Sequence, residues 1–256
     1  MKNLVAGLAL LIVAIIAGAY LYNNWGQILK YRPYKSPPSL LEKKSSALPA
    51  IRISGLAPGG HFLGSSPGFI RITNFGSELV NVTGWRVEAN RGSFNIPKAI
   101  EVYDPSGSNS ETDIVLLPGD TLSIFTNPSA NRRNFMINRC MGYLENSNFF
   151  EPPLPRICPR LDRSELIQLP GICQSYLLSL GACQPPEPNT LLENDPACAQ
   201  KMAELNYRGC FEKHGTDKDF LTGEWRVWGS GAILDPLHDI VKIVNKEGLI
   251  IGDYIY

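Results

Sequence analysis

Six cysteines carry the most reactive chemistry in this chain: Cys140, Cys158, Cys173, Cys183, Cys198 and Cys210. All lie in one middle stretch, and the segments on either side have none. An even, clustered set of thiols behind an export signal points to disulfides closed in an oxidising compartment. Spacing alone does not choose their pairing. Structural zinc suits the set less well, because no Cys-x-x-Cys occurs. Cys210-Phe211-Glu212-Lys213-His214 offers one Cys-x₃-His half-site with no tight second half. A thiol nucleophile needs a histidine within reach. His61, His214 and His238 each read more simply as surface or turn residues, and Glu212 and Asp217 sit in mixed-charge surroundings. Gly64-Ser65-Ser66-Pro67-Gly68 fits the G-x-S-x-G pattern, but a nucleophile elbow needs a helix after it. A period-2 strand follows here and Pro67 interrupts the motif, so the match reads as chance. The residues name no catalytic group, no metal site and no cofactor.

Bulk composition narrows the classes further. The 256 residues are 44% hydrophobic, enough to bury a full core. Twenty-four basic and 24 acidic residues cancel, which removes the electrostatic footprint of a general nucleic-acid binder. Frequent glycine and proline suit short strands joined by tight turns.

The elements that must position the cysteines are strands. In Phe69–Thr73, Ile70 and Ile72 alternate with Arg71 and Thr73, the period of a strand with one buried face. Asn74-Phe75-Gly76-Ser77 supplies turn chemistry. Trp85, Val87 and Ala89 then oppose Arg86 and Glu88. The two runs read as an antiparallel pair over a core anchored by Trp85. Further strands are expected at Ile51–Ile53, across Phe94–Val102 with a break at Pro97, and at Asp113–Leu117 and Thr121–Thr126. Two more flank the turn Lys246-Glu247-Gly248, at His238–Asn245 and Leu249–Tyr256.

Several of these runs together resemble the lamin-tail domain family. Its "(Y/F)(V/I)EIxN" strand is matched by Phe69-Ile70-Arg71-Ile72-Thr73-Asn74, and its "LTGWxL" strand by Val82-Thr83-Gly84-Trp85-Arg86-Val87. Leu116-Leu117-Pro118-Gly119 is similar to the family's "LxPG" turn. The last two strands resemble "D-x-V-x-L" and "VVDxVxY", with Gly252 where aspartate is usual and Asp253 one place on. The resemblance covers roughly 51–127 and 224–256. It implies an immunoglobulin-like β-sandwich that acts as an interaction module, without naming the partner.

Leu4–Tyr22 is an uncharged run of 19 residues, long enough to cross a bilayer as one helix. It is expected to act as an anchor; Ala17-Gly18-Ala19 is a small-x-small site where a signal peptide would be cut. Lys30, Arg32 and Lys35 outnumber Lys2, which by the positive-inside rule argues for a cytoplasmic domain. The clustered cysteines are weighted above that rule. Tyr31–Pro49 reads as an extended spacer.

The expected organisation is therefore an N-terminal membrane segment over 1–30, a linker over 31–49 and a first part of the sandwich over 50–126. A cysteine-rich, partly helical insertion follows over 127–223, and the last part of the sandwich over 224–256. Within the insertion, helices are expected at Ser164–Leu169, Cys173–Leu180 and Ala197–Tyr207, the last with an aspartate cap and Pro196 in its first turn. Tyr143, Phe149, Phe150 and Tyr176 could form a recognition patch, although core packing suits them better. Its charges nearly balance, giving no phosphate-binding stripe. Together these features lead to a membrane-tethered binding or adhesion module outside the cytoplasm, meeting a protein or cell-envelope ligand. A self-assembling envelope component and an extracytoplasmic hydrolase are the alternatives.

Overall fold

Residues 50–59, 68–126, 133–146, 150–229 and 231–256 are described by the computed structural model, and the chain is mainly β. The expected anchor and spacer, His61 and the Gly64–Pro67 part of the G-x-S-x-G match lie outside the described residues. Among the described residues, no helix is long and apolar enough to cross a membrane.

Two sheets share one core. The larger runs, edge to edge, β1 (Ile51–Ala57), β2 (Phe69–Asn74), β9 (Thr121–Phe125), β11 (Leu221–Trp228), β10 (Phe135–Asn138), β6 (Ala99–Ile100) and β7 (Glu111–Thr112). The smaller runs β13 (Ile250–Ile255), β12 (Ile240–Val244), β4 (Arg86–Ala89) and β5 (Gly92–Asn95). A two-stranded ribbon of β3 (Val80–Asn81) and β8 (Val115–Leu116) completes the set. Ile70, Ile72, Leu122, Ile124, Trp225 and Val227 from the larger sheet meet Val87, Val241 and Ile243 from the smaller one. Trp85 belongs to this cluster at 9% exposure, whereas Trp225 is its largest fully buried side chain.

The expected antiparallel pairing of residues 69–73 with 85–89 does not occur. β2 pairs with β1 and β9, while β4 pairs with β5 and β12, so the two runs lie in different sheets and contribute to one core. The chain leaves the larger sheet after Asn74 and passes through β3 in the ribbon; at Gly84, with φ +78°, it then turns into β4, and the Gly84 N–H bonds to Ile96 O at 2.7 Å. The C-terminal hairpin extends the smaller sheet, with Ile243 opposite Val87. Pro97 likewise divides its run between sheets, leaving β5 in one and β6 in the other.

Two pairings in the larger sheet are parallel: β9 with β11, and β6 with β10. The segment between β10 and β11 holds all six cysteines. It contains a 3-10 helix at Met141–Asn146, another at Arg163–Leu166, and four α-helices: α1 (Gly171–Ser179), α2 (Thr190–Glu193), α3 (Pro196–Ala203) and α4 (Tyr207–His214). Asp195 caps α3 as its sequence suggests, accepting from the Cys198 N–H at 2.8 Å, with Pro196 in the first turn. Sheet strands reach into both ends of the stretch 127–223, since β10 lies within it and β11 begins at Leu221.

This lobe covers the outer face of the larger sheet. Phe125, Phe135, Ile137 and Trp228 point away from the shared core and pack with Met141, Phe150, Leu154, Tyr207 and Phe220. Trp228 donates its indole N–H to Glu151 O at 3.0 Å. The Arg226 guanidinium donates to Pro152 O and Pro153 O, fixing the proline-rich segment along the strand. β11 is thus buried on both sides, and Trp225 through Trp228 show no alternation of exposure.

Candidate functional site

All six cysteines are bridged: Cys140 to Cys210, Cys158 to Cys183, and Cys173 to Cys198. Each bridge braces a different part of the lobe. Cys140–Cys210 joins the end of β10 to α4 inside the aromatic cluster over the sheet. Cys173–Cys198 joins α1 to α3 inside a separate core of Leu166, Leu177, Leu192, Met202 and Leu205. Cys158–Cys183 ties the extended segment 156–161 to the loop after α1. Gly142 makes room for it, because a β-carbon there would collide with Cys183 Sγ.

These bridges decide the fate of the other sequence motifs. The sulfur of Cys210 is bonded to Cys140, so the Cys210–His214 half-site has no thiolate to offer a metal. His214 instead pairs through Nδ1 with Asp217 Oδ2 at 2.8 Å, just beyond the last turn of α4. His238 is exposed in the loop before β12, where its carbonyl accepts from the Asn90 side chain. Phe150 is core, Tyr143 is half-buried, and the Tyr176 hydroxyl donates to Glu187 O at 3.3 Å. Phe149 lies outside the described residues. Of the three described aromatics, Phe150 is therefore buried in the core and not part of an exposed patch.

A different feature stands out on the lobe. Segment 158–163 borders a groove of about 430 Å³, within the size range of small-ligand sites. Leu161, Leu178, Leu180 and Leu205 give it apolar walls, and the Cys158–Cys183 bridge lies at its side. Arg160 and Arg163 line it as well, and among the described residues no Asp or Glu does. Neither arginine forms an ion pair among the described residues. Asp162, between them, turns its carboxylate onto the Ser164 N–H at 2.9 Å, where it caps the 3-10 helix.

A second, narrower depression of about 30 Å³ adjoins it beside Tyr143, Arg160 and Leu161. Lys201, Glu204 and Lys213 line it; Glu204 pairs with Lys201 at 3.1 Å, and Glu165 accepts from both lysines, which holds its carboxyl down at about 2. Burial pushes the Tyr143 hydroxyl up, keeping it neutral. Lys201 and Lys213 are thus paired with Glu165 and Glu204, whereas among the described residues no ion pair engages Arg160 or Arg163.

The lobe's overall charge balance concealed this arrangement. The signal was local: Arg156, Arg160 and Arg163 fall within eight residues beside two prolines and a cysteine. No family model matches the sequence, and a search of curated proteins finds no match.

Proposed function

We propose that this chain is an extracytoplasmic binding module, tethered to a membrane by its N-terminal apolar segment, whose lamin-tail-like immunoglobulin sandwich carries a disulfide-braced contact lobe. The observation that supports the reading most directly is the confinement of three disulfides to that lobe, with no free cysteine. Such a set is at home in an oxidising compartment. Its location also matters. The bridges fix the walls of a groove and the lobe's attachment to the sheet, leaving the body to its own hydrophobic core.

Binding is favoured over hydrolysis by the character of the groove. It offers aliphatic walls and two guanidinium groups, which recognise anionic apolar matter but supply neither a nucleophile nor a base. The lamin-tail resemblance points the same way, toward an interaction module.

The test is direct. The full chain is isolated from its native host without reduction, its thiols are alkylated, and its peptides are mapped by mass. Intact cells are labelled in parallel with a membrane-impermeant amine reagent. Three bridges and surface labelling are expected; six alkylated thiols in an unlabelled protein would overturn the reading.

A further inference from the structure

We infer that the groove bordered by segment 158–163 is a peptide-binding site for acidic, aliphatic segments of another protein. The inference rests on the binding-module reading above and gives it a ligand class. Three features of the groove carry it.

The first is charge. Arg160 and Arg163 line a space that no carboxylate lines among the described residues, and the acid between them accepts from the Ser164 N–H. Guanidinium groups take carboxylates bidentately and lose less on desolvation than ammonium groups do. The neighbouring lysines are already paired, Lys201 with Glu165 and Glu204 and Lys213 with Glu165.

The second is shape and chemistry of the walls. Leu161, Leu178, Leu180 and Leu205 present branched aliphatic surface, with Leu178 46% exposed although a buried leucine core lies directly beneath the same helix. A ligand that is only charged would leave this surface wet. One with an aliphatic side chain next to a carboxylate would use both. At about 430 Å³ the groove accommodates a few residues of extended chain, not a folded surface.

The third is rigidity. One side of the groove is held by Cys158–Cys183, and the helix above it by Cys173–Cys198. A preformed site loses little entropy on binding a flexible peptide.

The experiment selects peptides from a random display library on the oxidised full-length chain. Wild type, Arg160→Glu/Arg163→Glu and Leu178→Ser are then compared by fluorescence anisotropy with the leading peptide. Enrichment of Asp or Glu adjacent to Leu or Ile is expected, with affinity falling at least about tenfold in each variant and weakening with salt. All these positions are exposed, so both variants should keep three bridges on mass mapping, which separates lost binding from lost fold. Selection of basic or uncharged peptides, or equal binding by the charge-reversed variant, would overturn the inference. So would arginine-dependent binding to phosphatidylserine vesicles without binding of acidic peptides. If the bridges map as expected and no acidic peptide binds, this inference falls while the exported-module reading stands. Six free thiols would remove that reading instead.

Discussion

Asn74 donates its side-chain amide to the carbonyl of Leu116 at 2.9 Å, joining two turns 42 residues apart in sequence. The same amide donates to Glu78 O at 2.8 Å, and its Oδ1 accepts from the Gly76 N–H at 2.9 Å. Its backbone is equally occupied, with N–H to Asp120 O and carbonyl to the Gly119 N–H. Every polar group of this fully buried residue is satisfied. Replacing Asn74 by Ala should strand the Leu116 carbonyl and release the 75–78 turn. A loss of about 3 kcal/mol is expected, read as a lower urea midpoint with an unchanged slope.

Close to that junction, Gly223 has φ +73°, and a β-carbon there would fall on Asp120 Oδ1. Gly223→Ala should therefore destabilise by about 2 kcal/mol through backbone strain and collision. Asp120→Ala by itself loses the bond accepted from the Leu117 N–H, so the collision is read from the double-mutant cycle: Gly223→Ala should cost less in the Asp120→Ala background than in wild type. An equal cost in both backgrounds would show that the contact does not matter.

The disulfides should differ in worth. Cys140–Cys210 spans 70 residues and each of the others 25. Loop-closure entropy assigns about 4.4 kcal/mol to the long bridge and about 3.5 kcal/mol to each short one. The long bridge also joins lobe to sheet. Its paired Ser variant should thus lower the thermal midpoint most, and hydrogen exchange should rise across α4. The Cys173/Cys198 pair variant should loosen α1 and α3 while leaving β10 and β11 protected.

Acid should loosen the lobe before the body. Glu165 ties the 3-10 helix at 163–166 to α3 and α4 through Lys201 and Lys213, and its folded-state value of about 2 lies below its ordinary 4.5. A depressed carboxylate contributes stability that is fully present above its unfolded value and is lost as pH falls from 4.5 toward about 2. Its side chain is 32% exposed, so solvent screening limits the effect to about 1 kcal/mol. Glu165→Gln should be less stable than wild type at neutral pH, and the two should converge near pH 2. A constant difference across that range would refute the role.

Sequence alone carried most of the strands, because one-sided burial leaves a period of two. Ile70 and Ile72 show it, and so do Val241 and Ile243 in β12. It failed where both faces are covered. Phe135-Met136-Ile137-Asn138 is buried throughout, lacks alternation, and was absorbed into the expected insertion. Trp225 was passed over for the same reason, although it lies deeper than Trp85. Cysteine clustering points to bridges but not to their pairing, since partners are set by tertiary packing of α1 on α3, of α4 on the end of β10, and of segment 156–161 on the loop after α1. The groove was hidden for a related reason. Its leucines come from three separate places in the lobe, and the pairing around it depends on which carboxylates turn elsewhere, as Asp162 and Glu165 do.

Because Cys140 and Cys210 close the lobe at its base, the other two bridges lie wholly inside that ring and interlace within it. A protease cutting once anywhere between residues 140 and 210 would sever the polypeptide without separating it into pieces. The nicked molecule would run as a single species until reductant was added. The clipped domain would still hold both halves of its β-rich body in register.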